Sequence, residues 1–388
     1  MAASVSPAPR SPSYAPSADF VEASQSARSG FDWVLALLVV VLAVWGVASV
    51  YSATRGEAGY AGDATKQLGF VVLGLICMGG MSLARYRSLV HVQLGLYVGT
   101  LLVLAAILVL PRSIAPVING AKSWIRLGPI SLQVSEFAKF GLLVCLAAFW
   151  ARRQKEARNG RTLLLSLLYV LPPLLLVLKQ PDFGTAMAIL SIWLGVAYFA
   201  GVRASHLILT IVIGIGLFMA AWNGGVLKPH QKERLAVFLN PDTNLRGGGY
   251  QLNQAQIAIG GGQITGQGFG KGLQNRAHYV PENHTDFVFT VVAEEWGFVG
   301  GALLLFLYLT LLWRTSRLAG EGDSYFGTLL CGGFSALLAF HCLINIGMTM
   351  RLMPVTGVPL PFFSYGGSSF LAFSLGTGAC LSVSARRR

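Results

Sequence analysis

Charge is what this sequence has least of. Only 12% of its 388 residues are Asp, Glu, Lys or Arg, against roughly 25% in a soluble domain. Acids are the scarcer sign, 16 against 29 Lys and Arg, for a net charge of +13. Cysteine is nearly as thin. The five present (Cys77, Cys145, Cys331, Cys342, Cys380) all fall inside apolar runs without paired spacing. That excludes a disulfide framework and leaves them as small core residues. Zinc-ligand spacings are missing too, since His278 and His284 have no partner motif. A nucleotide loop is also absent. Gly270-Lys271 invites that reading, but Thr265 holds the first glycine position and Gly272 stands where Ser or Thr is needed. No strand–helix alternation surrounds it, and no nucleic-acid partner is expected.

What is there is apolar length. Hydrophobic residues make up 54% of the chain, and runs near 20 residues, enough to cross a bilayer as a helix, recur throughout. The chain reads as an all-α polytopic membrane protein. About ten transmembrane helices are expected, near 32–52, 66–84, 90–110, 133–151, 162–178, 182–201, 205–222, 286–313, 325–348 and 362–383. Residues 1–30, rich in Ala, Ser and Pro, are expected to be a disordered cytoplasmic tail, and 31–388 a single transmembrane domain. Alternate short loops carry Arg85/Arg87, Arg152/Arg153/Lys155, Arg203 and Arg314/Arg317, and the chain ends Arg386-Arg387-Arg388. The positive-inside rule places these, and both termini, in the cytoplasm. One large extracytoplasmic loop then spans about 223–285.

Fourteen of the 29 cations nevertheless fall in outer loops or at outer helix ends. Such a surplus points to an anionic partner such as a phosphate or pyrophosphate. Snorkelling to lipid headgroups remains the alternative for the scattered ones.

Six outer stretches stand out. Asn119–Pro129 holds Lys122, Trp124 and Arg126 and is expected to be a structured turn rather than a strand or helix. Trp124 there is either an interfacial anchor or a platform for a sugar face. Ser135-Glu136-Phe137-Ala138-Lys139 opens the fourth span with an acid and a base on one helix face. This is either a pair that orients two helices or a direct participant in chemistry. Gln180-Pro181-Asp182 reads as a reversal with Asp182 at a helix N-terminus. Within the large loop a membrane-surface helix, about Gln251–Ile259, lies between glycine-rich hinges.

The fifth stretch is Tyr279–Phe289, followed by Glu294-Glu295. It places Asp286 at the mouth of a span, with two carboxylates deeper in. Acids at such depth are functional candidates, although an acid at a helix start also complements the dipole. Finally, Leu352–Ser369, with three prolines, reads as a broken re-entrant segment. Irregular backbone at that depth must line protein or a water-filled cavity, and the cavity expected is that of Asp286.

These motifs in this order (Gly120-Ala121-x-x-Trp124-Ile125, Ser135-Glu136-x-x-Lys139, Gln180-Pro181-Asp182-x-Gly184-Thr185, Gly249-Tyr250-Gln251, Pro281-Glu282-x-His284-Thr285-Asp286-Phe287, and Pro354 to Ser369) closely resemble the SEDS (shape, elongation, division and sporulation) proteins of the RodA/FtsW type. Val134 departs from the proline usual before Ser-Glu, and Asn283 falls at a variable position. The Val-Thr-Gly-Val-Pro-Leu-Pro form favours the RodA branch.

The resemblance implies a peptidoglycan glycosyltransferase in the bacterial cytoplasmic membrane. It would polymerise lipid II on the outer face and work with a single-span class B penicillin-binding protein. Asp286 matches the family's catalytic acid and would act as general base. Lys122, Trp124, Arg126, Glu136, Lys139, Arg234, His284, Ser364 and Tyr365 would bind substrate. No cofactor is demanded; a divalent cation (Mg2+ or Mn2+) bridging Asp286 and the pyrophosphate stays open. A division-specific FtsW-like polymerase and a lipid II flippase are the alternatives, the flippase because broken helices and intramembrane charges also suit transporters.

Overall fold

A computed structural model of the chain describes residues 30–55, 60, 62–118, 120–128, 130–224, 237–238 and 247–386. The expected tail up to residue 29, Arg234 and much of the large outer loop lie outside the described residues.

The molecule is a helical bundle. Its elements are α1 (Trp33–Thr54), α2 (Asp63–Leu83), α3 (Leu89–Val109), β1 (Trp124–Leu127), β2 (Ile130–Gln133), α4 (Val134–Arg152), α5 (Gly160–Lys179), α6 (Phe183–Phe199), α7 (Ala204–Asn223), α8 (Gly248–Gly261), α9 (Leu273–Arg276), α10 (Val288–Glu321), α11 (Tyr325–Thr349) and α12 (Gly367–Ser384). Each of the ten apolar runs coincides with a helix, because only intrahelical bonds satisfy the backbone in lipid. Seven of these helices are long and apolar enough to cross a membrane, while α6 and α7 are apolar but shorter. Starts are set by side chains that cap free N–H groups: Asp32 accepts from Leu35, Asn159 from Arg161 and Ser324 from Gly327.

The burial pattern is inverted relative to a soluble protein. Leu102, Leu168 and Ile213 point outward, while Glu136, Lys139, His341 and Asn345 are enclosed. Helices α4 and α11 are the most enclosed of the long apolar helices. A second, smaller core of Val237, Leu252, Ala255, Ala258, Val280 and Phe287 joins α8 to the turn before α10.

Two sequence expectations need correction. The 119–129 stretch is not a plain turn: Trp124–Leu127 pairs antiparallel with Ile130–Gln133, in register Trp124↔Gln133 to Leu127↔Ile130. Gly128, at φ +63, opens the two-residue connection, a conformation glycine adopts without a side-chain penalty. The eighth expected span is α10, which begins at Val288, after Asp286, and is broken at Gly297 (φ 64, ψ −159).

The break is filled by the chain itself. The N–H groups of Gln267 and Gly268 donate to the carbonyls of Glu294 (3.0 Å) and Glu295 (2.9 Å). In return Phe298 and Val299 donate to Gln263 (2.8 Å) and Ile264 (3.1 Å). A broken helix frees backbone groups that must find other partners, and the 262–268 loop supplies them.

Candidate active site

The Asp286 turn, residues 281–287, is fastened from three sides. Phe287 and Val280 anchor it in the small core, against which Val355 packs. Within the turn the N–H groups of Thr285 and Phe287 donate to the Glu282 carbonyl at 3.2 and 3.1 Å. From α11, Asn345 Nδ2 donates to the Asp286 carbonyl (2.9 Å) and also to the Val358 carbonyl (2.8 Å). One buried amide thus ties the acid's backbone to the proline-rich segment. That segment passes directly beneath the carboxylate: a Cβ added to Gly357, at φ +72, would lie 3.3 Å from Asp286 Oδ2. The expected meeting of Asp286 with the re-entrant stretch is what the structure shows.

Proline has no N–H, and a stretch without helix leaves its carbonyls to be satisfied from outside. Three helix side chains do this. Besides Asn345 on Val358, His341 Nδ1 lies 3.0 Å from the Pro359 carbonyl and the Tyr308 hydroxyl donates to the Pro361 carbonyl at 2.6 Å. Further along, the Gln67 amide grips both sides of Tyr365, donating to the Ser364 carbonyl (3.1 Å) and accepting from Gly366 N–H (3.2 Å). Glycines let the segment approach its neighbours. A Cβ at Gly46 would meet the Phe363 carbonyl at 2.6 Å, and one at Gly184 the Thr356 carbonyl at 2.8 Å. Tyr308, His341, Asn345 and Gln67 were not singled out by sequence reasoning as site residues. Their signal was present, as polar side chains within apolar runs.

The sequence-derived candidates divide into groups. His284 is buried against Tyr60 (4.5 Å between ring centroids) and Tyr365 (5.6 Å), and its carbonyl accepts from Tyr365 N–H at 2.9 Å. The Tyr365 hydroxyl reaches Asp63 at 3.4 Å. Ser364 Oγ accepts from Leu360 N–H (2.9 Å), which turns the backbone inside the segment. His284 and Tyr365 are thus joined next to the Asp286 turn, while the Ser364 hydroxyl is turned into its own segment.

The cations are less concentrated. Lys122 Nζ donates to the carbonyls of Leu110 (2.6 Å) and Leu108 (3.1 Å), closing the C-terminus of α3 as a basic side chain can. Arg126 is exposed on the hairpin with Trp124 half-buried beside it. Glu136 and Lys139 lie inside the bundle, each 2% exposed and 2.8 Å apart. Lys139 also meets His341 Nε2 at 3.0 Å.

The deeper acids serve the fold. Glu294 accepts from the N–H groups of Gln274 (2.7 Å) and Asn275 (3.0 Å) and from the Asn275 amide. Glu295 accepts from Ser52 across the bundle. Asp182 caps α6 through Thr185 N–H (3.0 Å) and takes a bond from Gln133 (3.2 Å), as its helix-start position anticipated.

The Glu136–Lys139 pair yields an expected result. Removing one partner strands the other charge, at about 3–5 kcal/mol for a buried pair. Glu136→Gln and Lys139→Met should each lower the melting temperature in detergent more than the double replacement does. A double variant no more stable than the worse single one would refute simple pairing.

Comparison with known proteins follows the same lines. The FtsW/RodA/SpoVE family model, described as "Cell cycle protein", matches residues 30–388. Probable peptidoglycan glycosyltransferase FtsW of Coxiella burnetii is 38% identical, covering 78% of this chain and 83% of its own. Peptidoglycan glycosyltransferase MrdB of Escherichia coli K12 is 31% identical, covering 92% and 94%. A solved structure concerning "structural coordination of polymerization and crosslinking by a peptidoglycan synthase complex" holds a chain 34% identical. It superposes with a TM-score of 0.76 over 91% of this chain and 97% of that one. With an acid-bearing turn on a proline-rich wall, a broken eighth long helix and a match along the whole described bundle, this chain belongs to the FtsW/RodA/SpoVE family of membrane proteins.

Proposed function

We propose that this chain is a peptidoglycan glycosyltransferase of the bacterial cytoplasmic membrane that polymerises lipid II on its outer face, in cell elongation. The observation that carries this reading is the clamp on Asp286: its backbone and the wall facing its carboxylate are held by the same buried Asn345. A catalytic base needs that fixed geometry.

In this reading Asp286 takes the proton from the acceptor sugar hydroxyl. The freed oxygen attacks the donor's anomeric carbon from the face opposite the diphosphate, and the C–O bond to undecaprenyl diphosphate breaks with inversion. The leaving group carries away the electron pair, and nearby cations stabilise it. Exposed Arg126 is available for that task on the hairpin, and Arg234 is assigned to it from the sequence resemblance. Lys122 and Lys139 contribute by holding structure, given the partners they already have. His284, Ser364 and Tyr365 shape the sugar-binding wall. Among the described residues no three His, Cys, Asp or Glu side chains gather as a metal cage. A divalent cation bound at Asp286 would be shared with the substrate's own phosphates.

The synthase-complex structure supports assigning a crosslinking partner, a class B penicillin-binding protein. The elongation assignment rests on the Val355–Pro361 sequence, against relatives of both the RodA and FtsW kinds. The test is polymer formation from labelled lipid II by the purified chain, with and without that partner and with its transpeptidase blocked. Polymer supports the reading; lipid movement in proteoliposomes without polymer would replace it with transport.

The topology that goes with this reading has ten crossings, with 223–285 outside. Single cysteines placed at the exposed positions Asn223 and Arg276 should react with an impermeant thiol reagent in intact cells. Protection at both would overturn it.

A further inference from the structure

Lys139 is usually the kind of residue assigned to phosphate, yet its ammonium is sealed within the bundle and has two partners there. Glu136 Oε1 lies at 2.8 Å and His341 Nε2 at 3.0 Å, with all three side chains buried. An ammonium has only protons to offer, so His341 Nε2 must accept. The ring's other nitrogen, Nδ1, faces the Pro359 carbonyl at 3.0 Å and must donate. The two contacts together select one tautomer, the neutral ring with its proton on Nδ1. Phe373 seals the assembly: its ring meets His341 edge-on at 4.8 Å and lies 5.7 Å from Lys139 Nζ.

The far end of this chain of contacts is the wall of the site. Pro359 is two residues from Gly357, which underlies Asp286 Oδ2, and one from Val358, whose carbonyl shares Asn345 with Asp286. His341 and Asn345 stand four apart on α11, so one helix face holds both consecutive carbonyls.

We infer that His341 is a positioning residue for Asp286: Lys139, neutralised by Glu136, fixes the tautomer whose Nδ1–H holds the Gly357–Pro359 wall. With the tautomer so fixed, Nδ1–H holds the Pro359 carbonyl, and an amide donor in its place would need no such fixing. Glu136 keeps the ammonium from being an unpaired buried charge. The inference rests on Asp286 being the base of the proposed reaction.

Two substitutions separate the halves of the imidazole. His341→Asn places an amide donor near the Nδ1 position and gives up the contact with Lys139. His341→Gln places an amide oxygen near Nε2 and gives up the donor to Pro359. The measurement is kcat and KM for polymerisation of labelled lipid II by the full chain with its transpeptidase partner, alongside melting temperature. A small displacement of a reacting group costs on the order of 10²-fold in rate. His341→Gln should therefore lose about 10- to 100-fold in kcat with KM within about twofold. His341→Asn should stay within about threefold of wild type in both.

Folded Gln variant with unchanged kcat, or folded Asn variant as impaired as Gln, overturns the proposal. If Gln does not fold, the Asn variant decides alone: near-wild-type kcat supports the proposal and its loss refutes it. Failure of both to fold makes the contact a folding requirement and also refutes positioning. Wild type that makes no polymer is a different result, and it removes the glycosyltransferase reading itself.

Discussion

Asp286→Asn is expected to bring glycan polymerisation below detection while leaving the protein folded. The amide keeps the size of the carboxylate and much of its hydrogen bonding, but it cannot accept a proton at working pH. A positioned general base contributes about 10²–10⁴-fold to rate. Asn345 holds the Asp286 carbonyl at 2.9 Å, and the substitution leaves that bond in place. The carboxylate is half-buried on the outer wall, beside Gly357, so no cavity opens. Polymer length on a gel decides the matter, for wild type and variant at matched melting temperature with the partner's transpeptidase blocked. Undiminished polymer from the variant would remove Asp286 from the mechanism.

Gly297→Val is expected to have the largest effect on stability. Gly297 sits at φ +64 in the break of α10, a conformation that a β-branched residue adopts only under strain. Space is lacking as well: a Cβ there would come within 2.4 Å of Gly266 N and 2.6 Å of the Ile264 carbonyl. Those atoms are backbone and belong to the loop that completes the broken helix. A side chain at this positive φ with ψ near 180° costs about 1–3 kcal/mol and overpacking about 1–3 kcal/mol, together about 2–6 kcal/mol. A clear fall in melting temperature in detergent should follow. Gly69→Ala is the control: its Cβ would meet nothing within 4 Å inside α2, so it should be neutral or stabilising by up to about 1 kcal/mol. Equal melting of the two variants would mean that the 262–268 interlock contributes nothing.

The helical membrane class, the position of every long helix and the family were legible from residue order alone. Lipid permits few solutions for a backbone, so a run of some 20 apolar residues almost dictates its own fold. Asp286 was legible for a related reason: an acid beside an apolar run is costly enough to need an explanation. Asp182 was likewise readable, because a helix cap is satisfied within three residues.

Tertiary structure decided what the other polar residues do, since their partners are distant in sequence. Glu294 looked as exceptional as Asp286, but 19 and 20 residues upstream are the N–H groups of Asn275 and Gln274 that it binds. Lys122 counted as an outer cation until the end of α3 was seen to occupy its ammonium. Lys139 could have faced a phosphate; a histidine 202 residues away shows that it faces inward. The hairpin at 124–133 was missed because four-residue strands carry little periodicity, and their pairing is settled by the partner strand. Sequence by itself determined which groups are costly in a membrane, because that cost is a property of the residue and its local run. Which neighbour offsets the cost, and so whether the residue serves catalysis or the fold, is a matter of contacts over hundreds of residues, and only the packed bundle decides it.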